Sequence, residues 1–336
     1  MSDTYLIPQD TKEAGEYLVS TGQAIKSCIN ASLLLHKYAP REIIESPEKN
    51  TEWLKNFCGK FELKPANEYG KLVAAQKKRW DMRRNDETKY FTLVTRSRLL
   101  VGSGDKNAME IGLTLQHVTG LPYIPGSALK GLARATALIK LAQRFAITME
   151  KKPIEIFEEL LVCPTDATQE RAQLWEKLKM NDTATQKLSL ATISEDPEAT
   201  LFQTVFGSQQ QAGACVFYDA ALIDLPYVKT APGTQSAQRA RTLFEVDVLT
   251  PHFPNYYRYP QNKPPSDDQS PIPVMFLTVA AGVRFGFTVA PAGIGRAKKS
   301  TVEQAEQWLK EGLTRYGIGG KTSAGYGAFT ETEVLH

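Results

Sequence analysis

A glycine-rich segment near the C-terminus is the first place in this sequence where the backbone itself could bind a ligand. It reads GIGGKTSAGYG over residues 317–327, and five of its eleven residues are glycine. Glycine tolerates positive φ and leaves its amide accessible, so successive amides can form an anion-binding concavity, to which Lys321 would add charge. This pattern predicts a site for a phosphate backbone. A turn that lets a helix pack closely on a sheet would explain the glycines equally well.

Nucleotide cofactors are poor candidates for the same segment. The letters GKT at 320–322 match the end of a P-loop, but that motif needs a glycine where Arg315 stands. A P-loop also follows a strand and precedes a helix, which is the reverse of the order here. A dinucleotide fingerprint fails because Thr322 occupies the position of its third glycine. We therefore expect no cofactor at this segment.

A second possible anion site precedes a basic helix. The stretch TGLPYIPGSALKGLARA, residues 119–135, has a Pro-Gly-Ser turn in which Ser127 can cap the helix that follows. The first amides of such a helix point outward at the positive end of its dipole, and that end attracts anions. Lys130 and Arg134 are four residues apart and so share a face beside Gly126. The alternative is an amphipathic helix whose basic face is merely solvated.

Strands and a second helix surround these two segments. Residues 90–104, YFTLVTRSRLLVGSG, alternate apolar and polar residues over much of their length, which is typical of a half-buried strand, and Arg96 and Arg98 then share a face. Ser300 with Glu303 forms a capping box at the start of a helix that leads into the glycine segment. A short strand is expected to close the chain immediately after that segment.

The element order divides the chain into regions. From residue 90 it approximates β-α-β-β-α-β with insertions, which predicts an α+β, ferredoxin-like (RRM-like) core. A basic run at 77–89 surrounds Trp80, which we expect to be exposed. The expected regions are a helical N-terminal region at 1–88, the core at 89–336, a helical insertion at 148–198 and a proline-rich arm at 251–271.

The composition is that of an ordinary globular protein. The 336 residues are 42% hydrophobic and 23% charged, with a net charge of only +3, so any nucleic-acid site must come from local charge. Four scattered cysteines include no C-x-x-C pair, which argues against a zinc site or a disulfide framework. With no secretory signal and no membrane span expected, the predicted location is the cytoplasm.

Three quoted segments together resemble a known family. GLTLQHVTGLPYIPGSALKGLARA, VLTPHFPNYYRYP…SPIPVMFLTVA and YGIGGKTSAGYGAF are similar to three successive motifs of the RAMP superfamily. The likeness is greatest to the family of sixth Cmr subunits in type III-B CRISPR effector complexes, and it covers roughly residues 90 to 336. It implies a ferredoxin-like core that binds crRNA and caps a filament of RAMP subunits at the crRNA 3′ end.

The resemblance also implies contacts and partners. The expected partners are crRNA, with target RNA as a further candidate, and other Cmr subunits, namely the backbone RAMP subunit, the small subunit and the other terminal RAMP subunit. No membrane, metal or cofactor is expected. The residues expected to contact RNA are Arg96, Arg98, Gly126, Ser127, Lys130, Arg134, Gly317, Gly319, Gly320, Lys321, Thr322, Ser323, Gly325 and Tyr326. The arm is expected to reach RNA or a neighbouring subunit through His252, Tyr256 and Tyr257.

Catalysis is not expected, although two alternatives stay open. Related backbone subunits cut RNA with an aspartate, and in the similar segment IGLTL (111–115) a glycine stands in its place. Glycine can neither bind Mg²⁺ nor accept a proton, although Asp105 and Glu110 are nearby carboxylates. A metal-independent ribonuclease would need a base such as His117 or His36. A purely structural assembly protein, whose basic residues contact an acidic partner, is the third possibility.

Overall fold

The computed structural model describes residues 30–36, 39, 47–61, 68–104, 112–208, 210–224, 242–250, 273–293 and 297–331. The helices are α1 Ala31–His36, α2 Pro47–Lys60, α3 Glu68–Asp81, α4 Gly126–Arg144, α5 Lys151–Val162, α6 Thr168–Asn181, α7 Leu190–Ser194, α8 Pro197–Phe206 and α9 Lys299–Arg315. The strands are β1 Lys89–Thr95, β2 Tyr123–Ile124, β3 Cys215–Phe217, β4 Ala220–Asp224, β5 Phe244–Leu249, β6 Val274–Val279, β7 Arg284–Pro291 and β8 Phe329–Thr330.

A six-stranded antiparallel sheet forms the centre of the fold. Its order is β2-β4-β7-β1-β8, and β3 pairs with the far end of β7. Strand β7 is buried along almost its whole length, because elements cover both faces of the sheet, and its sequence RFGFTVAP is accordingly apolar without clear alternation. The prediction of strands and helices in a mixed α+β arrangement is confirmed.

Helices α4 and α9 pack against one face of this sheet. Phe91 of β1 and Phe287 of β7 stack there, with ring centroids 5.0 Å apart. The ring of Trp308 from α9 lies 5.6 Å from that of Phe206 in α8, which extends the aromatic core beyond the sheet. The two helices touch closely at Gly312, where an added Cβ would lie 2.6 Å from the hydroxyl of Thr136.

Helix α3 covers the opposite face, and Trp80 is its anchor. The side chain is only 5% exposed, and its indole Nε1 donates a hydrogen bond of 2.9 Å to Thr288 Oγ1. Gln76, one turn earlier, donates through Nε2 to the carbonyl of Leu222 in β4. The expectation of an exposed Trp80 is therefore wrong. The charged neighbours face solvent, while Tyr69, Val73, Gln76 and Trp80 recur at helical spacing on the buried face.

Strands β5 and β6 form a separate two-stranded sheet that α2 covers. The rings of Phe57 and Phe61 lie 5.4 and 5.6 Å from that of Phe244 in β5. An isolated bridge between Leu99 and Val279 joins β6 to the segment that follows β1. This junction brings β5 and β6 beside the glycine-rich segment.

Helices α5 to α8 form an additional layer beside α4. The buried guanidinium of Arg171 ties this layer together, because it donates to the carbonyls of Leu160 and Cys163 and to the hydroxyl of Ser194. Asp182 accepts from both the amide and the hydroxyl of Thr148. Of the helices in the described part of the chain, none is long and apolar enough to cross a membrane.

The two predicted helix caps lie inside their helices. Helix α4 begins at Gly126, so Ser127 is already helical, and helix α9 begins at Lys299, so Ser300 is as well. Glu303, the other half of the predicted capping box, pairs with Lys89 of β1 at 2.6 Å. The closing strand is also shorter than expected, with only two residues, because the backbone before it is held in the glycine-rich segment.

Gly286→Ala should destabilise the fold through Trp80. An added Cβ would lie 2.7 Å from Trp80 Cε2, so the indole or the strand must shift, and we expect a loss of about 1–3 kcal/mol in the free energy of unfolding. Chemical denaturation followed by circular dichroism measures this loss. Gly131→Ala on α4 is the matched control, since nothing lies within 4 Å of its Cβ. An unchanged midpoint for Gly286→Ala would contradict the tight packing of α3 on β7.

Candidate nucleic-acid interface

The glycine loop, residues 317–327, is held against the segment that follows β1. The amide of Gly320 donates to the carbonyl of Leu100 at 2.7 Å, and that of Gly327 donates to the carbonyl of Arg98 at 2.8 Å. Two positions require glycine. A Cβ at Gly319 (φ 92°) would lie 2.2 Å from the Leu100 oxygen, and one at Gly327 (φ 70°) would lie 1.9 Å from the Ile318 oxygen.

Three successive amides of the loop take no part in these internal hydrogen bonds. Those of Lys321, Thr322 and Ser323 donate to no acceptor among the described residues, and Thr322 and Ser323 are exposed. Lys321 itself is one of two described non-glycine residues with positive φ, at 60°. Consecutive amides that begin at a left-handed residue form the type of concavity that binds anions. The loop therefore combines a rigid base with a free donor surface.

Lys321 lies beside this surface with its charge intact. Its Nζ is 4.7 Å from the ring centroid of Phe276 and 5.7 Å from that of Tyr326. No described carboxylate lies within ion-pair distance of it. Aromatic faces hold an ammonium group without neutralising it, so the charge remains available to an anion.

Arg98, one of the residues expected to contact RNA, is bound to two carboxylates of this chain. Its Nε lies 2.8 Å from Glu245 Oε2 and its Nη1 lies 2.7 Å from Asp247 Oδ2. The Tyr326 hydroxyl donates to the same oxygen of Asp247. Arg98 and Tyr326 therefore fix the glycine loop to β5, and an RNA contact by Arg98 would require release of both carboxylates. Arg96 is exposed and has no ion pair within the described part of the chain.

Arg98, Glu245, Asp247 and Tyr326 form a polar cluster, and its pKa values follow from these contacts. Burial alone would raise the pKa of Asp247, but hydrogen bonds from Tyr326 and from the Val248 amide, together with Arg98, hold it below its usual value. Burial and the hydrogen bond to Asp247 raise the pKa of Tyr326. Asp247 is therefore the charged centre of the cluster.

The start of α4 is less open to an external anion than its sequence indicated. The amide of Gly126 donates to Asp219 Oδ1 at 2.7 Å, and the amides of Ala128 and Leu129 donate to the Pro125 carbonyl. The exposed Ser127 supplies the remaining amide of this turn, which has no acceptor among the described residues. The expectation that the first-turn amides all point outward is therefore wrong, because a carboxylate of this chain already occupies the helix start.

Lys130 and Arg134 share a face of α4, as expected, but differ in their surroundings. Arg134 Nε lies 2.6 Å from Glu158 Oε1, and its guanidinium lies 5.4 Å from the ring centroid of Phe202. It lines a cavity together with Glu155, Glu158 and Glu159, so its environment is acidic. Lys130 is half-exposed and pairs with no described carboxylate. Burial raises the pKa of the neighbouring Cys215 thiol to about 11, and the Lys130 charge opposes that rise.

A continuous path of backbone contacts connects the glycine loop to α4. Gly320 bonds to Leu100, the amide of Thr114 donates to the carbonyl of Val101 at 2.7 Å, and Leu115 forms a bridge with Pro122. Pro122 precedes the start of α4 by four residues. The described contacts thus link the two predicted anion sites through neighbouring segments, without direct contact between Lys321 and Lys130.

The candidate catalytic residues are only partly described. Asp105 and Glu110 lie outside the described residues, as do the arm residues His252, Tyr256 and Tyr257, whereas Gly112 is buried. No described residue bonds the exposed ring of His117, and Ser32 Oγ lies 3.4 Å from Nδ1 of His36. Within the described ranges, no group of three or more His, Cys, Asp or Glu side chains is arranged to hold a metal ion.

Comparison with known proteins identifies the class. The family model described as the RAMP superfamily matches residues 92–330, and the chain belongs to this superfamily. It is 30% identical over 242 residues to the CRISPR system Cmr subunit Cmr6 of Pyrococcus furiosus, a match that covers 70% of this chain and 66% of that protein, slightly less than two thirds of its length.

Two solved structures are also similar. The crystal structure of Cmr6 from Pyrococcus furiosus matches with a TM-score of 0.42 at 25% identity, over 74% of this chain and 100% of that one. A chain in the cryo-EM structure of the type III-B Cmr-β complex bound to cognate target RNA matches with a TM-score of 0.47 at 17% identity, over 95% of this chain and 85% of that one.

Asp247→Asn should remove part of the acid sensitivity of the fold. Because its folded pKa is depressed, Asp247 stabilises the protein above its unfolded pKa, near 3.8, and this contribution is lost as pH falls through the folded value. At neutral pH the variant should lose about 1–3 kcal/mol, since the charged partner of Arg98 and Tyr326 is gone. Below about pH 4 its stability should converge with that of the wild type.

Urea denaturation between pH 3 and pH 7 measures both effects. Asp86→Asn, at an exposed carboxylate in the turn after α3, is the matched control and should follow the wild-type profile. A constant difference between Asp247→Asn and wild type across this range would contradict the assignment.

Proposed function

We propose that this chain is a non-catalytic, crRNA-binding RAMP subunit of a type III-B CRISPR complex and that it caps the backbone filament at the crRNA 3′ end. Membership of the RAMP superfamily and 30% identity to a Cmr6 protein support this proposal. The other Cmr subunits and crRNA, with target RNA beside it, are its partners.

The glycine loop is the observation that carries the RNA-binding part of the proposal. Its three unbonded amides and the unpaired ammonium group of Lys321 supply hydrogen-bond donors and positive charge, which are what a phosphate group needs from a binding site. Phosphate contacts position a nucleic acid without reading its sequence. This agrees with a subunit whose specificity comes from base pairing in the guide.

The remaining predicted contacts divide into two groups. Ser127, Lys130 and Arg96 stay in the proposed RNA surface, because none of them has a carboxylate partner among the described residues. Arg98 and Arg134 are each bound to carboxylates of this chain, and we assign them structural roles. The proposed RNA surface therefore includes fewer basic residues than the sequence indicated.

The ferredoxin-like core is likewise part of the proposal. The order β1-α4-β4-β7-α9-β8, with β2, β3, β5 and β6 as additions, and the sheet order β4-β7-β1-β8 support this proposal. Both helices then lie on one face of the sheet. The glycine loop and the start of α4 are connections of this core, where binding sites commonly occur.

The absence of catalysis is proposed from the resemblance. The aligned segment has Gly112 where related backbone subunits carry an aspartate, and a glycine supplies neither a metal ligand nor a base. His117 has no described second group to act with it. Both considerations favour a subunit that holds RNA without cleaving it.

Lys321→Ala should weaken RNA binding without unfolding the protein. Loss of one phosphate contact should lower the affinity for single-stranded RNA several-fold and reduce the salt slope by about 0.7, the value for one single-strand phosphate. A titration with fluorescent single-stranded RNA at two salt concentrations, with Mg²⁺ present and products separated on a gel, measures affinity and cleavage together. Lys152→Ala, at an exposed lysine of α5, is the matched control and should bind like wild type.

Arg134→Ala tests whether this arginine binds RNA or stabilises the fold. We expect near wild-type RNA affinity with lower stability, because this arginine pairs with Glu158 and covers Phe202.

Cleaved RNA would contradict the non-catalytic assignment. Equal RNA affinity of Lys321→Ala and wild type would contradict the role of the glycine loop.

A further inference from the structure

A polar cavity lies on the α3 face of the sheet, away from the glycine loop. Its volume is about 220 Å³, and it opens between α3, the β3–β4 connection and the turn at 116–119. Trp80 lines it together with Arg79, Arg83 and Asp219. None of its lining residues belongs to the glycine loop, and β1 lies between β7, whose Thr288 lines the cavity, and β8, which follows that loop. It is therefore a distinct site.

Two arginines bring positive charge to this cavity. Arg79 and Arg83 are exposed, and neither has an ion pair with a carboxylate of the described residues. Arg83 lies 6.0 Å from the ring centroid of Tyr218. In contrast, Arg84 next to it pairs with Asp81 and lies over Trp80. The chain thus neutralises one arginine of this run and leaves the two cavity arginines available.

The other wall presents both hydrogen-bond donors and acceptors. Thr119 Oγ1 donates to Gln116 Oε1 at 2.8 Å, which leaves the Nε2 amino group of Gln116 without a described partner. Asp219 uses Oδ1 to accept from Gly126, and its Oδ2 has no described donor. A ligand that fits must therefore offer an acceptor to Gln116, a donor to Asp219 and an anion to the arginines.

Exposed apolar side chains lie next to lining residues in the sequence. Met82, Val118 and Tyr218 are 76%, 87% and 41% exposed, and each adjoins a lining residue in sequence. Unstacked bases pack on such surfaces, aromatic ones above all. A ligand with a carboxylate alone would offer no donor to Asp219, whereas a nucleotide carries base donors for Asp219 and a phosphate for the arginines.

We propose that this cavity holds one nucleotide of a single-stranded RNA, with its base beside Gln116 and Asp219 and its phosphate against Arg79 and Arg83. The inference rests on the proposed RNA-binding function and adds a second RNA contact, on the face of the sheet that α3 covers.

The test is an RNA titration of the full chain with paired double variants. Arg79→Ala/Arg83→Ala should weaken binding of fluorescent single-stranded RNA about tenfold or more at 0.1 M salt and lower the salt slope by about 1.4, the value for two single-strand phosphates. Lys77→Ala/Lys78→Ala removes the same charge from the same helix outside the cavity, and we expect less than about a twofold change.

Two further variants distinguish failure of the cavity proposal from failure of the proposed function. Gln116→Ala should weaken binding without changing the salt slope, because it removes a base contact and no charge. If Lys321→Ala weakens binding while Arg79→Ala/Arg83→Ala binds like wild type, the proposed function stands and this inference fails. Equal losses for the two double variants would also overturn it, since they would indicate only general charge attraction. Wild-type protein that binds no RNA at either salt concentration would overturn both proposals.

Discussion

The fixed attachment of the glycine loop to the segment after β1 is the constraint on which the proposed binding surface depends. Gly319 and Gly327 permit backbone approaches that any Cβ would block, and the amides of Gly320 and Gly327 complete that attachment. Amides on a flexible loop would lose conformational entropy when they bound an anion. Held in this way, the amides of residues 321–323 are oriented before a ligand arrives.

Ion pairing within the chain decides which basic residues remain available. Arg98 forms ion pairs with Glu245 and Asp247, and Arg134 forms one with Glu158, so both arginines stabilise the fold. Lys321 is placed over aromatic rings and keeps its charge. With a net charge of only +3, such selective pairing concentrates positive charge locally without making the whole surface basic.

Local periodicity predicted the elements that carry the site. The alternation after residue 90 corresponds to β1, the pattern that begins near Ser127 corresponds to α4, and the pattern that begins at Ser300 corresponds to α9. The glycine-rich segment was also predicted as a connection between a helix and a short strand. These features depend on neighbours in sequence, which a single sequence contains.

The features that the sequence did not predict all depend on distant partners. Asp219 caps a helix that begins 93 residues before it, and Arg98 meets Glu245 across 147 residues. Trp80 packs on β7 where Gly286 leaves room for its ring. Spacing along one element cannot reveal such partners, because they are created by the packing of one element on another.

Hydrogen–deuterium exchange of the full chain, with and without single-stranded RNA, tests the central claim most directly. If the outward amides of the glycine loop bind phosphate, exchange in peptides that contain residues 321–323 should slow when RNA is added. The same peptides of a Lys321→Ala variant should show less protection at equal RNA concentration. RNA binding that leaves the exchange of these peptides unchanged in the wild type would contradict the account.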